Sequence, residues 1–444
     1  MKESDMRRRF FSWLAYLAGL QTAAFAQLIP NDAQFHKQWA LYNDGTFHPF
    51  TGNPNVKVGA DMDMPKAWAI ETGDSSIIAA IIDTGCKWKH KEFEGRIWKN
   101  RHEVPGNQID DDGNGYVDDS IGWNFVSNNG DISDNHGHGT GMAAIIGANG
   151  NNGIGFAGMD WKCKLMICKV KDTADLALNQ NVAKAIRYAV DNGARIINLS
   201  LSGKSNSDAL TSAVQYAQSR NVFLVAGAGN EGVDSVFYPA RFDFCLAVGS
   251  TDSDDSFSRT FLSGGGSNYG NDIDVVAPGN FIYTLDYLAD TEYDYITGGT
   301  SNSTAYVSGL AALLLAQDPT RTPATLRSLI QETADDQVGK PTEDTPGWDR
   351  FHGYGRVNAF RALSAIKSAI RIAAAHDRTM PKAGILFPSS LSGGAFAFEP
   401  GQTVGIWDLK GRKLVRLEQA ASAASRAGSR RGGPVVFALD ANRP

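Results

Sequence analysis

Between residues 75 and 278, six short apolar runs rich in β-branched side chains, SIIAAIID, KLMICKV, RIINLSL, VFLVAGA, FCLAVGS and DIDVVAP, alternate with segments of a different rhythm. In residues 138–148, 174–192 and 208–220, apolar side chains recur at the three- and four-residue spacing of a helix. Strands that alternate with helices form a mainly parallel central sheet with helices on both faces, an α/β fold. Functional groups in such sheets collect outside the carboxyl ends of the strands. Asp83 ends the first run and Asn230 follows the fourth, as that rule expects. Further along, Val307, Leu310, Ala311 and Leu314 keep the i, i+3, i+4, i+7 pattern of a well-buried helix, whose first turn holds Ser301.

Three separate segments carry residues of complementary chemistry: Asp83 in IIAAIIDTG, His138 in DNHGHGT and Ser301 in GGTSNSTAYVSGLAALLL. A serine hydroxyl is a weak nucleophile until a base takes its proton, and an imidazole with a reference pKa of about 6.5 suits that task. A carboxylate then holds the imidazole in the right tautomer and stabilises its cation. Each segment alone has a plainer reading. Asp-Thr-Gly after an apolar strand also marks aspartic proteases, but that chemistry needs two such carboxylates and no second Asp-Thr-Gly or Asp-Ser-Gly occurs. His138 alone would read as a helix-terminal or core histidine, and Ser301 alone as an N-cap. The order Asp, His, Ser separates this trio from the other known arrangements of the same groups.

On these motifs, over residues 30–363, the chain resembles the subtilisin-like serine peptidases, the subtilases. The resemblance implies a serine endopeptidase that forms an acyl-enzyme on Ser301, with His138 as general base and acid and Asp83 orienting it. Asn230, in Gly227-Ala228-Gly229-Asn230-Glu231-Gly232, matches the family asparagine that donates to the oxyanion, with the backbone N–H of Ser301 as second donor. A plain Gly-Asn turn is the alternative at that position. By the same resemblance, extended substrate pairs with Ser200-Leu201-Ser202 and with Ala228-Gly229. Some neighbours depart from the family pattern: Gly141 replaces a histidine, Asn302-Ser303 replace Met-Ala, and Ala305-Tyr306 replace Pro-His. These positions surround the trio, so they bear on the shape of the site more than on its chemistry. Rival readings are a catalytically silent peptide-binding or surface module and a processing protease with one target.

The segment IDDDGNGYVDDS sets oxygen donors at Asp110, Asp112, Asn114, Tyr116 (backbone carbonyl) and Asp118, with Gly115 at the turn. This is the EF-hand spacing at positions 1, 3, 5, 7 and 9, a hard-oxygen set suited to a structural calcium ion. Position 12 is Ile121 rather than glutamate, which predicts modest affinity. A solvated acidic turn is the competing reading. Asn151, Asn152 and Gly153 give a weaker hint of a second site.

Arg7, Arg8 and Arg9, the apolar run FFSWLAYLAGL and the Ala24-Phe25-Ala26 pattern have the layout of a secretory signal peptide over residues 1–26. No other stretch approaches the roughly 20 apolar residues of a membrane span, so none is expected after signal removal. The net charge is −6 and no basic stripe is interleaved with aromatics, which argues against a nucleic-acid partner and leaves proteins or peptides as substrates. Export permits disulfides, but Cys163 and Cys168 point to opposite faces of one strand, Cys86, Cys168 and Cys245 sit in or beside apolar strands, and no bridge is predicted. The subtilisin-like catalytic domain is expected over residues 27–374. It begins so soon after the signal that the prodomain of many subtilases has no room. Residues 375–444 read as a linker and an incomplete β-sandwich-like module, truncated or diverged, of the kind secreted bacterial proteases use for sorting or anchoring. The expected location is therefore secreted, cell-surface or periplasmic in a bacterium, with secretion or cell-surface anchoring machinery as a partner of the C-terminal module.

Overall fold

The computed structural model describes residues 26–46, 56–172, 179–291 and 293–365 in full, and six strands beyond them. The signal-peptide reading lies almost wholly outside the described residues, as does the start of the helix expected from residue 174. The chain divides into two compact units, Met1–Ser364 and Ala365–Pro444.

In the first unit the elements in chain order are α1 (Met64–Trp68), β1 (Ile78–Asp83), β2 (Gly122–Asn124), α2 (His138–Gly147), β3 (Lys164–Lys169), α3 (Asn179–Asp191), β4 (Ile196–Leu199), α4 (Asp208–Ser219), β5 (Phe223–Gly227), β6 (Cys245–Thr251), β7 (Val275–Pro278), β8 (Ile282–Tyr283), β9 (Ile296–Thr297), α5 (Thr300–Gln317), α6 (Pro323–Glu332) and α7 (Ala359–Ser364). The main sheet has the order β2-β3-β1-β4-β5-β6-β7. All its pairings are parallel, in the α/β arrangement the strand and helix patterns imply. Each predicted run supplies one strand. The short β2 and the antiparallel pair β8–β9 are additions.

Side-chain alternation along the strands divides the core between the two faces of the sheet. Ala79 and Ile81 of β1, Leu165 and Ile167 of β3, and Phe223 and Val225 of β5 join one cluster with α2 and α5. Ala80, Ile82, Met166, Cys168, Leu224 and Ala226 join the other with α3 and α4. Full burial of one such aliphatic side chain contributes about 1.5–3 kcal/mol. All four cysteines are buried and free, and Cys163 and Cys168 fall in opposite clusters.

Helix α5 runs through the interior rather than over it. Thr300 and every residue from Asn302 to Leu315 are buried, and it packs against β4 to β7 and against α2. A helix apolar nearly all round belongs in a core, and the half-buried Ser301 sits at its N-terminal end, where this rod comes toward the surface, as Ala316 and Gln317 do at the other end.

In the second unit, β10 (Ala369–Ala375), β11 (Gly384–Pro388), β13 (Thr403–Trp407) and β14 (Lys413–Glu418) form an antiparallel sheet in the order β11-β10-β13-β14. A separate pair joins β12 (Ala395–Phe398) to β15 (Val435–Ala438).

Candidate active site

Asp83 is the last residue of β1, His138 the first of α2 and Ser301 the second of α5. The bend that follows β1 brings two of them together. His138 Nδ1 lies 2.7 Å from Asp83 Oδ1, which also accepts from the Thr84 N–H at 2.7 Å. Gly139 makes the approach possible: a Cβ there would stand 2.2 Å from the Gly85 carbonyl oxygen. Thr84 completes the clasp, its Oγ1 accepting from the Gly139 N–H at 2.8 Å.

Asp134, whose role the sequence did not reveal, holds the start of α2. Its Oδ1 accepts from the N–H groups of His136 and Gly137 at 3.0 Å, and its Oδ2 from the Thr140 N–H at 2.9 Å and the Thr140 hydroxyl at 2.6 Å. Burial alone would raise this carboxyl, but Thr140 and the surrounding N–H groups hold it below the usual value. The nearest signal in the sequence is its place four residues ahead of His138.

The Asp83 side chain is only 3 % exposed and that of His138 is 28 % exposed. Burial by itself would push the imidazole pKa down, yet the charge and hydrogen bond of Asp83 override it and raise the pKa. His138 is thus a more willing proton acceptor than free histidine.

Ser301 is held from behind. Its hydroxyl donates to the Ser200 carbonyl at 3.2 Å, while Ser200 Oγ donates to the Ser301 carbonyl at 2.8 Å. Asn198 donates to Ser200 Oγ at 3.0 Å and accepts from Ser308 Oγ at 2.9 Å, which links β4 to α5. No hydrogen bond joins Ser301 to His138 among the described residues, as is common for a catalytic serine before substrate arrives.

Asn230 lies just past β5, and Thr300 fixes which way its amide faces. Asn230 Oδ1 accepts from both the Thr300 N–H and the Thr300 hydroxyl at 2.9 Å, so Nδ2 is the end left to donate. A Cβ at Gly299 would sit 3.3 Å from that nitrogen, so the amide lies against the backbone at the start of α5. The Ser301 N–H is one of the first four of α5, which have no intrahelical acceptor. The helix N-terminus also favours negative charge beside it.

Of the expected substrate-binding segments, Leu201 and Ser202 keep backbone N–H groups without partners among the described residues. Ala228 and Gly229 do not. The Ala228 N–H donates to Val248 and its carbonyl accepts from Phe237, while the Gly229 N–H donates to Thr300 Oγ1 and its carbonyl accepts from Asn268. Of the departing residues, the Gly141 carbonyl accepts from Thr284 Oγ1, Asn302 Nδ2 donates to the Gly279 carbonyl, Ser303 Oγ donates to the Ala277 carbonyl, and Ala305 and Tyr306 are buried in the core.

In the acidic loop, Asp110 and Asp112 accept from Asn114 and Gly115 N–H groups, and Asn114 accepts from the Tyr116 N–H. The Asp118 carboxylate is turned to the N–H groups of Gly106, Asn107 and Gln108. Asp112 instead gathers with Glu103 and Asp119, their ligand oxygens all within 4.8 Å of one another. Asn151 and Asn152 border a second carboxylate pair. Asn151 N–H donates to Asp32 Oδ2 at 2.6 Å and Asn152 Nδ2 to Glu92 Oε2 at 3.0 Å. Burial pushes the Glu92 carboxyl up to about 8 and also raises Asp32, whose Oδ1 is buried without a hydrogen-bond partner among the described residues.

The pattern that defines the Subtilase family matches residues 74–355. Thermitase of Thermoactinomyces vulgaris is 35% identical over 299 residues, which are 67% of this chain and 92% of that protein. A thermophilic serine proteinase of Bacillus sp. (strain AK1) is 34% identical over 67% of this chain and 64% of its own length. The cell wall-associated protease of Bacillus subtilis (strain 168) is 31% identical over 82% of this chain, which spans 40% of that protein. Among solved structures, a protease from Pseudoalteromonas arctica superposes with a TM-score of 0.57 over 76% of this chain and 99% of its own at 24% identity, a likeness of fold.

Proposed function

Since the chain belongs to the subtilase family, we propose that it is a secreted serine endopeptidase in which Ser301 forms an acyl-enzyme with the carbonyl carbon of the scissile peptide. The observation that carries this reading is the 2.7 Å contact between His138 Nδ1 and Asp83 Oδ1. With Nδ1 engaged by Asp83, the other imidazole nitrogen, Nε2, is the one left to take the serine proton in this reading.

In the proposed sequence the Ser301 hydroxyl leaves the Ser200 carbonyl, gives its proton to His138 Nε2 and attacks the substrate carbonyl. Asn230 Nδ2 and the Ser301 N–H donate to the oxygen as it takes up negative charge. His138 then passes the proton to the leaving amine, and the C–N bond breaks. A water enters, gives a proton to His138 and attacks the ester carbon. Collapse returns the proton to Ser301 and frees the acid. The N–H groups of Leu201 and Ser202, without partners among the described residues, support strand-like pairing of the substrate there, with Ala228 and Gly229 as a closely packed wall.

Calcium is proposed as a structural ion. The Glu103, Asp112 and Asp119 oxygens suit it in the acidic loop, and Asp32 and Glu92 suit it at the Asn151–Asn152 turn, where Asp32 Oδ1 has no hydrogen-bond partner among the described residues. Residues 1–26 are proposed as the export signal, the rest of the first unit as the catalytic domain, and the second unit, whose β10 begins before the boundary expected at residue 374, as a sorting or anchoring module. A relative named for association with the cell wall is in keeping with that location. Among the described residues no helix is long and apolar enough to cross a membrane.

The test is digestion of a proteome-derived peptide library with mass-spectrometric mapping of new termini. Cleavage that disappears with Ser301→Ala supports the reading, and breadth of cleavage separates a degradative enzyme from a dedicated processing enzyme. Undiminished cleavage by the variant would remove Ser301 from the mechanism.

A further inference from the structure

We propose that Asp344, Asp349 and His352, between α6 and α7, bind a divalent metal ion of borderline character, zinc or a similar ion, in a site separate from the serine chemistry and the acidic loop. The three side chains are almost fully enclosed, with relative exposures of 2%, 8% and 0% in that order. One oxygen from each carboxylate and one ring nitrogen of His352 all lie within 4.8 Å of one another. Small movements bring such a trio onto a single ion at a bond length of about 2.0–2.2 Å.

Charge gives the first reason to place a cation there. Asp344 accepts from the N–H groups of Gln337 and Gly339, and Asp349 from those of Thr345, Phe351 and His352. Among the described residues no lysine, arginine or histidine forms an ion pair with either carboxylate. Buried carboxylates are ordinarily paired or bound to a metal, and backbone N–H groups alone leave the site with an excess of negative charge.

The second and independent reason is the imidazole. His352 Nε2 faces the Asp255 carbonyl oxygen at 3.4 Å, whereas Nδ1 is buried with no hydrogen-bond partner among the described residues. The tautomer that donates from Nε2 leaves a lone pair on Nδ1. Metal-bound histidines follow this pattern, with one nitrogen on the ion and the other N–H on a carbonyl or carboxylate. The ring is wedged in place, since a Cβ at Gly339 would stand 2.7 Å from Nε2.

One imidazole with two carboxylates is a donor set for zinc or a neighbouring transition ion, whereas calcium takes oxygen ligands. Water would complete the shell. The ion would pin the 337–353 loop to the adjoining segment, where Gly353 and Arg356 bridge to Val275 and Val276 of β7. It would stabilise the folded protein by mass action.

The experiment takes the whole purified protein, strips it with chelator, restores millimolar calcium to occupy the hard-oxygen sites, and titrates zinc or cobalt(II). The expected result is uptake of about one ion per chain that His352→Gln loses, with a higher melting temperature and visible cobalt d–d bands in the wild type alone. Uptake at the neighbouring His136 and His138 would persist in His352→Gln and so is told apart. Should that variant misfold, X-ray absorption of the zinc-loaded wild type decides by whether Asp344→Asn removes the imidazole-plus-carboxylate shell. No uptake under these conditions, or uptake indifferent to both substitutions, overturns the proposal.

Discussion

Ser200 and Ser301 exchange hydrogen bonds, Ser301 Oγ to the Ser200 carbonyl at 3.2 Å and Ser200 Oγ to the Ser301 carbonyl at 2.8 Å. The first parks the nucleophile and the second fixes the backbone that carries it. Ser200→Ala removes only the second and leaves Asn198 Nδ2 without its acceptor. We expect about a threefold to tenfold fall in kcat/KM and a loss of about 1–2 kcal/mol in stability, since an unpaired buried donor costs on that order. Steady-state kinetics with a peptide ester and chemical denaturation check the two effects.

Thr300 orients the Asn230 amide through two hydrogen bonds to Oδ1. Thr300→Val deletes the hydroxyl, so kcat should fall by about tenfold with KM nearly constant. Asn230→Ala should lower kcat by about 10²–10³, the magnitude known for removal of the oxyanion-donating asparagine from a subtilisin. Equal activity in wild type and Thr300→Val would show that the N–H of Thr300 suffices to hold the amide.

The pH profile carries a definite sign. Asp83 raises the His138 pKa against the opposing effect of burial, and the base must be neutral to act. Activity should therefore rise with pH through a value above the ordinary histidine pKa of about 6.5. The pair affects stability in the opposite direction: its contribution is fully present below the unfolded-state pKa and is lost as pH rises through the folded-state value. Asp83→Asn should shift the acid limb downward and lower kcat by about 10⁴. A pH–rate profile of each protein reads both.

Calcium removal should matter more at high pH. Burial pushes Glu92 up to about 8 and raises Asp32. Without an ion, the stability these carboxyls favour is present below their unfolded values of about 4 and is lost as pH rises toward 8. Chelated protein should melt progressively lower from pH 5 to pH 8, calcium should flatten that slope, and Glu92→Gln should flatten it without calcium. Scanning calorimetry across that range is the check.

What the sequence reveals and what it hides follow from physical range. The runs behind β1 and β3 to β7 are legible because a buried parallel strand needs continuous β-branched side chains. β2 is only Gly122-Trp123-Asn124, too short for any periodicity, and exists because it pairs with β3. β10, AIRIAAA, is alanine-rich like a helix, and its pairing with β11 and β13 is what makes it a strand. Asp83, His138 and Ser301 are visible as motifs because their chemistry tolerates few residue types. The service of Thr300 to Asn230, of Asp134 to α2 and of Glu103 to Asp112 depends on approaches between segments that no local pattern encodes. The same limit hid the gathering of Asp344, Asp349 and His352.

The most direct test of the account is covalent labelling of the purified protein, produced from Gln27 onward in calcium buffer, by a fluorophosphonate that reacts with an activated serine. Labelling should map to Ser301, vanish in Ser301→Ala and fall sharply in Asp83→Asn. Folded protein that takes no label, or takes it equally in Ser301→Ala, would contradict the claim that Asp83, His138 and Ser301 form a working nucleophilic relay.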